Sequence, residues 1–354
     1  MDAKLWNGIT IGGTCAVLML LGLCTAVIDP FFHYHKPLSG LSYPLNHQRY
    51  QNDGILRNFD YDAILIGTSM TENFKASEFD QLWGASSVKV PFNGGHYKEI
   101  DQAVRQGLAC NPRVKYVLRC LDYYFLDDKD FIRTDVDFPT YLYNDNPFDD
   151  VHYLLNKEIL LQYTKQVITN THAGVPSDSF DAYSNWNLKF PFGKEAVFDS
   201  YIYDTTRYFM EEMTEEDRSR LQDNLEQNVL RTVREYPEVT FYFFFPPYSI
   251  CEWERYFYSG QLEKMRELEE VVIEMLLPFE NVQLYGFLDC YDITCNLDNY
   301  KDTAHYGEWI NSQILQWIYQ GEHRLTWENY QAYLMETREF YRTFPYEELH
   351  DELP

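Results

Sequence analysis

Two short blocks, far apart in the chain, carry the residue types of nucleophilic catalysis. Gly67-Thr68-Ser69 follows the apolar run Ala63-Ile64-Leu65-Ile66, and Asp302-Thr303-Ala304-His305 lies near the other end. A serine hydroxyl is inert at neutral pH. It becomes a nucleophile when a histidine takes its proton and a carboxylate orients that histidine. Three positions separate Asp302 from His305, which on a helical turn puts both side chains on one face. The carboxylate can then hold Nδ1–H and leave Nε2 for Ser69. The chemistry implied is acyl transfer through serine. Each block alone has an ordinary reading, since a serine or threonine at a turn is most often a helix cap and D-x-x-H is a common surface pair.

Strands must bring such blocks together. Continuous apolar or alternating runs predict strands over Asp62 to Ile66, Ser87 to Phe92, Val114 to Leu121, Val239 to Phe245 and Val282 to Phe287. Helical spacing falls between them, at about Glu78 to Trp83, Tyr97 to Ala109, Val151 to Val167, a capped run from Thr214 to Glu235, and Gln261 to Leu276. A further helix, Gly307 to Tyr319, is expected to be seated by Trp309, Ile310, Ile314, Leu315 and Ile318, and His305 to begin it. This alternation predicts an α/β fold, a doubly wound three-layer sandwich around a mostly parallel five-stranded sheet. Ser69, Asn93, Asp122 and Tyr248 each follow an expected strand end, where open sheets of this kind build their sites. Tyr248, after Pro246-Pro247, either lines an acceptor groove or packs a structural turn.

The 354 residues, 45% hydrophobic and 17% aromatic, are ample for a packed core. A formal charge of -26 excludes nucleic acid as a partner, because the phosphate backbone would be repelled. No residue from Leu5 to Ile28 is charged, and that run exceeds the roughly 20 apolar residues a bilayer requires. We read residues 1–28 as a transmembrane anchor rather than a cleaved signal peptide, with the N-terminus cytoplasmic and the bulk of the chain extracytoplasmic. Residues 29–60, with Pro30, Pro37 and Pro44, read as a stalk. The folded domain then spans 61–325 with an insertion at about 123–203, and 326–354 is a C-terminal helical tail.

The seven cysteines, Cys15, Cys24, Cys110, Cys120, Cys251, Cys290 and Cys295, imply no disulfide framework and show no metal-ligand spacing, although Cys290 and Cys295 are near enough in sequence to bridge. No metal or cofactor is expected. Asp127, Asp128, Asp130, Asp135 and Asp137 lack the glycine of a calcium loop and read as a solvated face. His33 and His35 flank Tyr34 beside the anchor without a third ligand.

The order of the blocks resembles the SGNH, or GDSL, hydrolase family, over about Tyr61 to Gln320. That family places its serine in a Gly-Asp-Ser-like block after the first strand, here Gly67-Thr68-Ser69, and an Asp-x-x-His block near the end, here Asp302 to His305. The resemblance implies a flavodoxin-like sandwich, with Ser69 as nucleophile, His305 as general base and acid, and Asp302 orienting it. It implies an oxyanion hole from the backbone N–H of Ser69 and of Gly94 or Gly95, with Asn93 beside them. The family's G-x-N-D block is absent: Cys120-Leu121-Asp122-Tyr123-Tyr124 stands in its place. Losing one oxyanion donor typically costs roughly 3 kcal/mol of transition-state stabilisation.

With its N-terminal anchor the chain is similar to membrane-tethered family members of bacterial envelopes, such as the D-alanine transfer protein and the accessory proteins of alginate-type O-acetylation. The function this implies is an extracytoplasmic serine O-acyltransferase or esterase on a cell-surface polysaccharide or teichoic-acid-like polymer, working beside a membrane-bound O-acyltransferase. Asp122 and Tyr248 would line its substrate cleft. The alternatives are a simple envelope esterase or lipase-like hydrolase, and a non-catalytic binding partner of the membrane acyltransferase.

Overall fold

The computed structural model describes residues 2–350 except 134, 135, 137, 145 and 202–205. Asp135 and Asp137 of the acidic run, Tyr203 at the end of the expected insertion and the last four residues lie outside the described residues. The chain divides into two compact units, Met1–Asp60 with Thr134–Tyr183, and Tyr61–Arg133 with Ser184–Pro354.

The first unit begins with α1 (Ala3–Ile28), whose 26 residues give about 39 Å of helix at 1.5 Å per residue, enough to cross a membrane. Most of its apolar side chains are exposed, as at Leu20 and Leu23. Asp29 ends the helix in the left-handed conformation, φ 47°. Its buried carboxylate accepts from the backbone N–H groups of His33, Tyr34 and His35 and from the Tyr153 hydroxyl. Burial pushes this carboxyl up, against those hydrogen bonds. The His33 ring faces Asp150 at 3.5 Å, while His35 Nδ1 lies 2.7 Å from the Lys36 carbonyl, so the two histidines have separate partners. Phe31, Leu142, Tyr153 and Ile159 form a small core. The segment 29–60 contains a helix, α2 (Gln48–Asn58), and Gly54 on it approaches the backbone so closely that a Cβ would lie 2.2 Å from the Phe31 carbonyl.

The expected helix from Val151 to Val167 is divided into Val151–Leu154, a wide-turned segment Ile159–Thr164 and Lys165–Ala173. Asn156 interrupts it: its side-chain oxygen accepts from the N–H groups of Glu158 and Ile159, starting a new helix as a cap does.

The second unit is built on a six-stranded sheet: β1 (Ala63–Ile66), β2 (Ser87–Lys89), β3 (Tyr116–Cys120), β4 (Thr240–Phe245), β5 (Val282–Gly286) and β6 (Arg324–Leu325). The spatial order is β2-β1-β3-β4-β5-β6, parallel throughout except for the antiparallel β5–β6 pair. Parallel neighbours require crossover connections, and helices supply them. These include α3 (Ala76–Trp83), α4 (Tyr97–Cys110), α5 (Glu215–Leu225), α6 (Ile250–Tyr258) and α7 (Leu262–Leu276), while α8 (Glu308–Gln320) leads into the antiparallel β6 and α9 (Tyr330–Thr343) follows it. Thr214 and Asp217 close the capping box that opens α5.

The central strands are buried on both faces, all of β1 and Phe241 to Phe245 of β4 being inaccessible or nearly so, which accounts for their unbroken apolar runs. Buried cations inside strands are matched: Lys89 donates to the Glu72 and Phe74 carbonyls, and Arg119 to that of Asn228, with Asp101 3.7 Å away. Five strands were expected, and the sixth, two residues long, is too short to show a period.

Candidate functional site

Gly67 ends β1 with φ 155°, and a Cβ there would lie 2.7 Å from Thr71 Cγ2 and 3.0 Å from Cys120 Cβ. Only glycine lets the chain turn this close to β3. Thr68 then caps the single 3-10 turn Ser69–Thr71: its hydroxyl oxygen accepts from the Met70 N–H and its O–H donates to Asp122 at 2.6 Å. The cap is therefore Thr68. Ser69, one residue later, has its hydroxyl free of capping.

Ser69 Oγ lies 2.7 Å from His305 Nε2. On the far side of the ring, His305 Nδ1 is 2.9 and 2.8 Å from the two carboxylate oxygens of Asp302. The element holding this pair differs from the expected helical turn, and α8 starts only at Glu308. Asp302 to His305 is a tight loop closed by the Tyr300–Tyr306 bridge and by the Lys301 N–H donating to the His305 carbonyl. Asp302 Oδ1 also accepts the N–H groups of Ala304 and His305, so the carboxylate that orients the ring also shapes its loop. A three-residue spacing brings the two side chains together here through side-chain-to-backbone bonds and needs no helix.

The loop is fixed to its surroundings. Ser249, after the Pro246-Pro247 turn, donates its hydroxyl to the Thr303 carbonyl, Thr303 donates its own to Glu252, and Tyr300 donates to the Pro247 carbonyl. Asn311 of α8 donates to the Met70 carbonyl, joining the helix after His305 to the turn that bears Ser69.

Burial opposes ionisation of Asp302. The hydrogen bond and charge of His305, the loop amide and Lys301 more than offset it, and the carboxyl is held well below the usual range. Lys301 Nζ donates to Asp302 Oδ2 at 3.0 Å and sits over the rings of Trp186 and Phe190, 4.8 and 4.5 Å from their centroids. Trp186 also meets the His305 ring edge to face, at 5.7 Å. Sequence reasoning missed Lys301, Trp186 and Phe190. Adjacency to Asp302 was the only signal for the lysine, and nothing local marked the two aromatics.

Asp122 and Tyr248 stand in the wall of the cleft beside Ser69 and His305 as a bonded pair. Tyr248 donates its hydroxyl to Asp122 Oδ1 at 2.6 Å, and Thr68 donates to Oδ2. Burial pushes the Asp122 carboxyl up, while the bonds from Thr68, Tyr248 and Cys120 oppose this. The cleft holds about 190 Å³ and opens onto Ser69 and His305, with Tyr124, Glu252, Arg255 and Tyr256 further along its wall.

The residues expected around an oxyanion are dispersed. Asn93, Gly94 and Gly95 are not among those lining the cleft. The Gly95 N–H already donates to the Phe92 carbonyl at 2.7 Å, and Arg133 donates to the carbonyls of Gly94 and Asn93. Among the described residues, the N–H groups of Ser69 and Gly94 have no hydrogen-bond acceptor. The acidic run also separates, with Asp127 on His96 and Asp130 on Lys98.

A hydroxyl bonded to an imidazole whose second nitrogen faces an ionised carboxylate has the geometry for proton removal from the oxygen. No protein-family model matches the chain, and no curated protein matches it in sequence. A solved structure from Streptococcus pneumonia, described as that of "a putative platelet activating factor", aligns over 81% of this chain and 90% of that chain, at 13% identity and a TM-score of 0.38. A likeness so slight bears on neither fold nor chemistry.

Proposed function

We propose that the chain is a serine-dependent acyl-transfer enzyme of SGNH type, built on a flavodoxin-like sandwich and held by α1 at the outer face of a membrane. The observation that carries this reading is the 2.7 Å contact between Ser69 Oγ and His305 Nε2, with Asp302 on Nδ1.

In this reading Ser69 Oγ attacks an ester carbonyl as its proton passes to His305 Nε2. The carbonyl π-electrons move to oxygen, and the Ser69 N–H stabilises the charge. Collapse expels the alcohol, which takes the proton from His305 and leaves an acyl ester on Ser69. A second hydroxyl then attacks this ester as His305 again accepts a proton, and Ser69 is regenerated. If that hydroxyl belongs to a sugar the reaction is transfer, and if it belongs to water it is hydrolysis. Tyr124 and Tyr256 in the cleft favour a glycan, since aromatic faces stack on sugars. The acceptor is accordingly a cell-surface polysaccharide or teichoic-acid-like polymer, and a membrane-bound O-acyltransferase is the partner that delivers the acyl group. The absence of the G-x-N-D block supports a second reading, a non-catalytic partner of that acyltransferase.

Exposure of the full chain in detergent to a fluorophosphonate probe separates the two. Labelling of the wild type that disappears in Ser69→Ala and His305→Ala supports the enzyme. No labelling of the folded wild type overturns it. An acyl donor ester with an added oligosaccharide then distinguishes transfer from hydrolysis, because release of free acid alone rules out the transferase.

A further inference from the structure

On the opposite side of β4 from β3, the antiparallel pairing of β5 and β6 brings together residues that lie far apart in sequence. The chain leaves β5 through Phe287 and Leu288 to Asp289 and Cys290, and it enters β6 from His323, whose carbonyl accepts the Gly286 N–H. Asp289 Oδ1, Cys290 Sγ and His323 Nδ1 form a small triangle. Oδ1 lies 3.4 Å from Nδ1 and 3.8 Å from Sγ. Sγ lies 3.8 Å from Nδ1 and 3.7 Å from Nε2, so a rotation of the ring decides which nitrogen it meets.

We propose that Asp289, Cys290 and His323 form a binding site for a divalent transition metal of the zinc class. The argument is geometric. Zinc takes sulfur at about 2.3 Å and imidazole nitrogen or carboxylate oxygen at about 2.0–2.2 Å in a tetrahedral array. Ligand atoms at those bond lengths stand about 3.3–3.6 Å from one another. The triangle matches these edges to within a few tenths of an ångström, its two sulfur sides being long thiol contacts and its third side an ion-pair distance. Among the described residues, the three side chains have no hydrogen-bond or ion-pair partner besides one another.

A second observation is independent of the triangle. His323 adopts φ 58°, a conformation unusual for a non-glycine residue, and its ring is set against Trp317 and Phe287, with centroids 4.8 and 5.7 Å away. The ring is thereby held over the Asp289-Cys290 corner. The donor set of one thiolate, one imidazole and one carboxylate suits zinc or cobalt better than calcium or magnesium, which prefer all-oxygen shells. All three groups are half-buried, and three protein ligands leave a fourth position for water or a substrate oxygen. On binding, the thiol loses its proton to solvent and the sulfur lone pair forms the bond to the metal.

The full chain in detergent, reduced and then moved anaerobically to reductant-free buffer, is titrated with cobalt(II) alone. The expected result is one equivalent bound, with a sulfur-to-cobalt charge-transfer band and intense tetrahedral visible bands, both lost on adding zinc(II). Cys290→Ser should remove the charge-transfer band. His323→Gly, which suits the positive φ and so preserves the backbone, should weaken binding by at least about tenfold, the lower end of what a lost second-shell contact costs. Cys295→Ser should change neither. Absence of the charge-transfer band in the wild type overturns the site. So does its persistence in Cys290→Ser, its loss in Cys295→Ser, or undiminished cobalt affinity in His323→Gly.

Discussion

Lys301 and Asp302 are chain neighbours whose side chains bond to each other: Lys301 Nζ donates to Asp302 Oδ2 at 3.0 Å, and the same oxygen is 2.8 Å from His305 Nδ1. The carboxylate thus has two cationic or hydrogen-bonding neighbours, and the lysine is fixed by two aromatic faces. Lys301 touches no reacting atom. It is a positioning residue for the group that orients His305.

Lys301→Met should therefore slow fluorophosphonate labelling of Ser69 by roughly tenfold. A charge-assisted hydrogen bond contributes about 1.5–3 kcal/mol, of which a partly exposed site keeps a fraction, and 1.4 kcal/mol is tenfold in rate. Lys301→Arg should recover part of the loss because it restores the donor. Equal labelling rates in wild type and Lys301→Met would show that Asp302 needs no such support.

Asp302 makes a second prediction through its protonation. Burial raises its pKa, but His305 and Lys301 lower it further, so the folded value lies below the unfolded one near 3.8. The folded state then binds fewer protons than the unfolded state wherever the two differ, and its stability falls as pH falls. Asp302→Asn removes this linkage. The stability difference between wild type and Asp302→Asn should be constant at neutral pH and shrink below about pH 5. Urea unfolding across that range measures it, and a difference that grows with acid would contradict the low pKa. Activity should respond differently: Asp302→Asn should lose about 10⁴-fold at neutral pH, because the amide favours the wrong imidazole tautomer.

The buried pair of Asp122 and Tyr248 should respond as a unit. Tyr248→Phe leaves Asp122 Oδ1 without its donor, and a buried acceptor left unsatisfied costs about 1–3 kcal/mol. We expect a lower urea midpoint with an unchanged slope, since the surface exposed on unfolding is the same. Thr68 also depends on this carboxylate, so labelling of Ser69 should slow as well. An unchanged midpoint would mean that water replaces the phenol at no cost.

Physical reasons decide which parts of this arrangement can be read from the chain. The β1 and β4 strands are continuous apolar runs because both faces are covered, and such runs stand out in any sequence. Ser69 and Asp302 to His305 could be singled out because nucleophilic chemistry demands particular residue types, and they meet at 2.7 Å. The loop that holds Asp302 was not legible, because its hydrogen bonds run from one side chain to nearby backbone and leave no periodic trace. Lys301, Trp186 and Phe190 converge from distant segments, and Asp289, Cys290 and His323 are joined only by the short β5–β6 pairing. Asn156 divides a segment whose apolar spacing favours one helix, a case of capping chemistry overriding periodicity.

Gly67 gives the most direct test of how Ser69 is placed against His305. Its φ of 155° is one that side-chain-bearing residues rarely adopt, and the space a Cβ would fill is already taken by Thr71 Cγ2 and Cys120 Cβ. Gly67→Ala must therefore move the Ser69 turn away from β3 or strain the backbone, at a cost on the order of 1–3 kcal/mol. Either response shifts Ser69 Oγ relative to His305, which is held independently by Ser249 and Tyr300. A misplacement of 1 Å can cost about 10²-fold in rate. We expect Gly67→Ala to label at least tenfold more slowly than wild type while its far-ultraviolet circular dichroism stays unchanged. Gly84→Ala is the matched control: it also has a positive φ, 63°, but nothing lies within 4 Å of its would-be Cβ, and it caps α3 away from the cleft. Its backbone strain should lower stability without slowing labelling. If both variants label alike, strain rather than displacement of Ser69 explains the loss, and the close approach at Gly67 has no part in aligning Ser69 with His305.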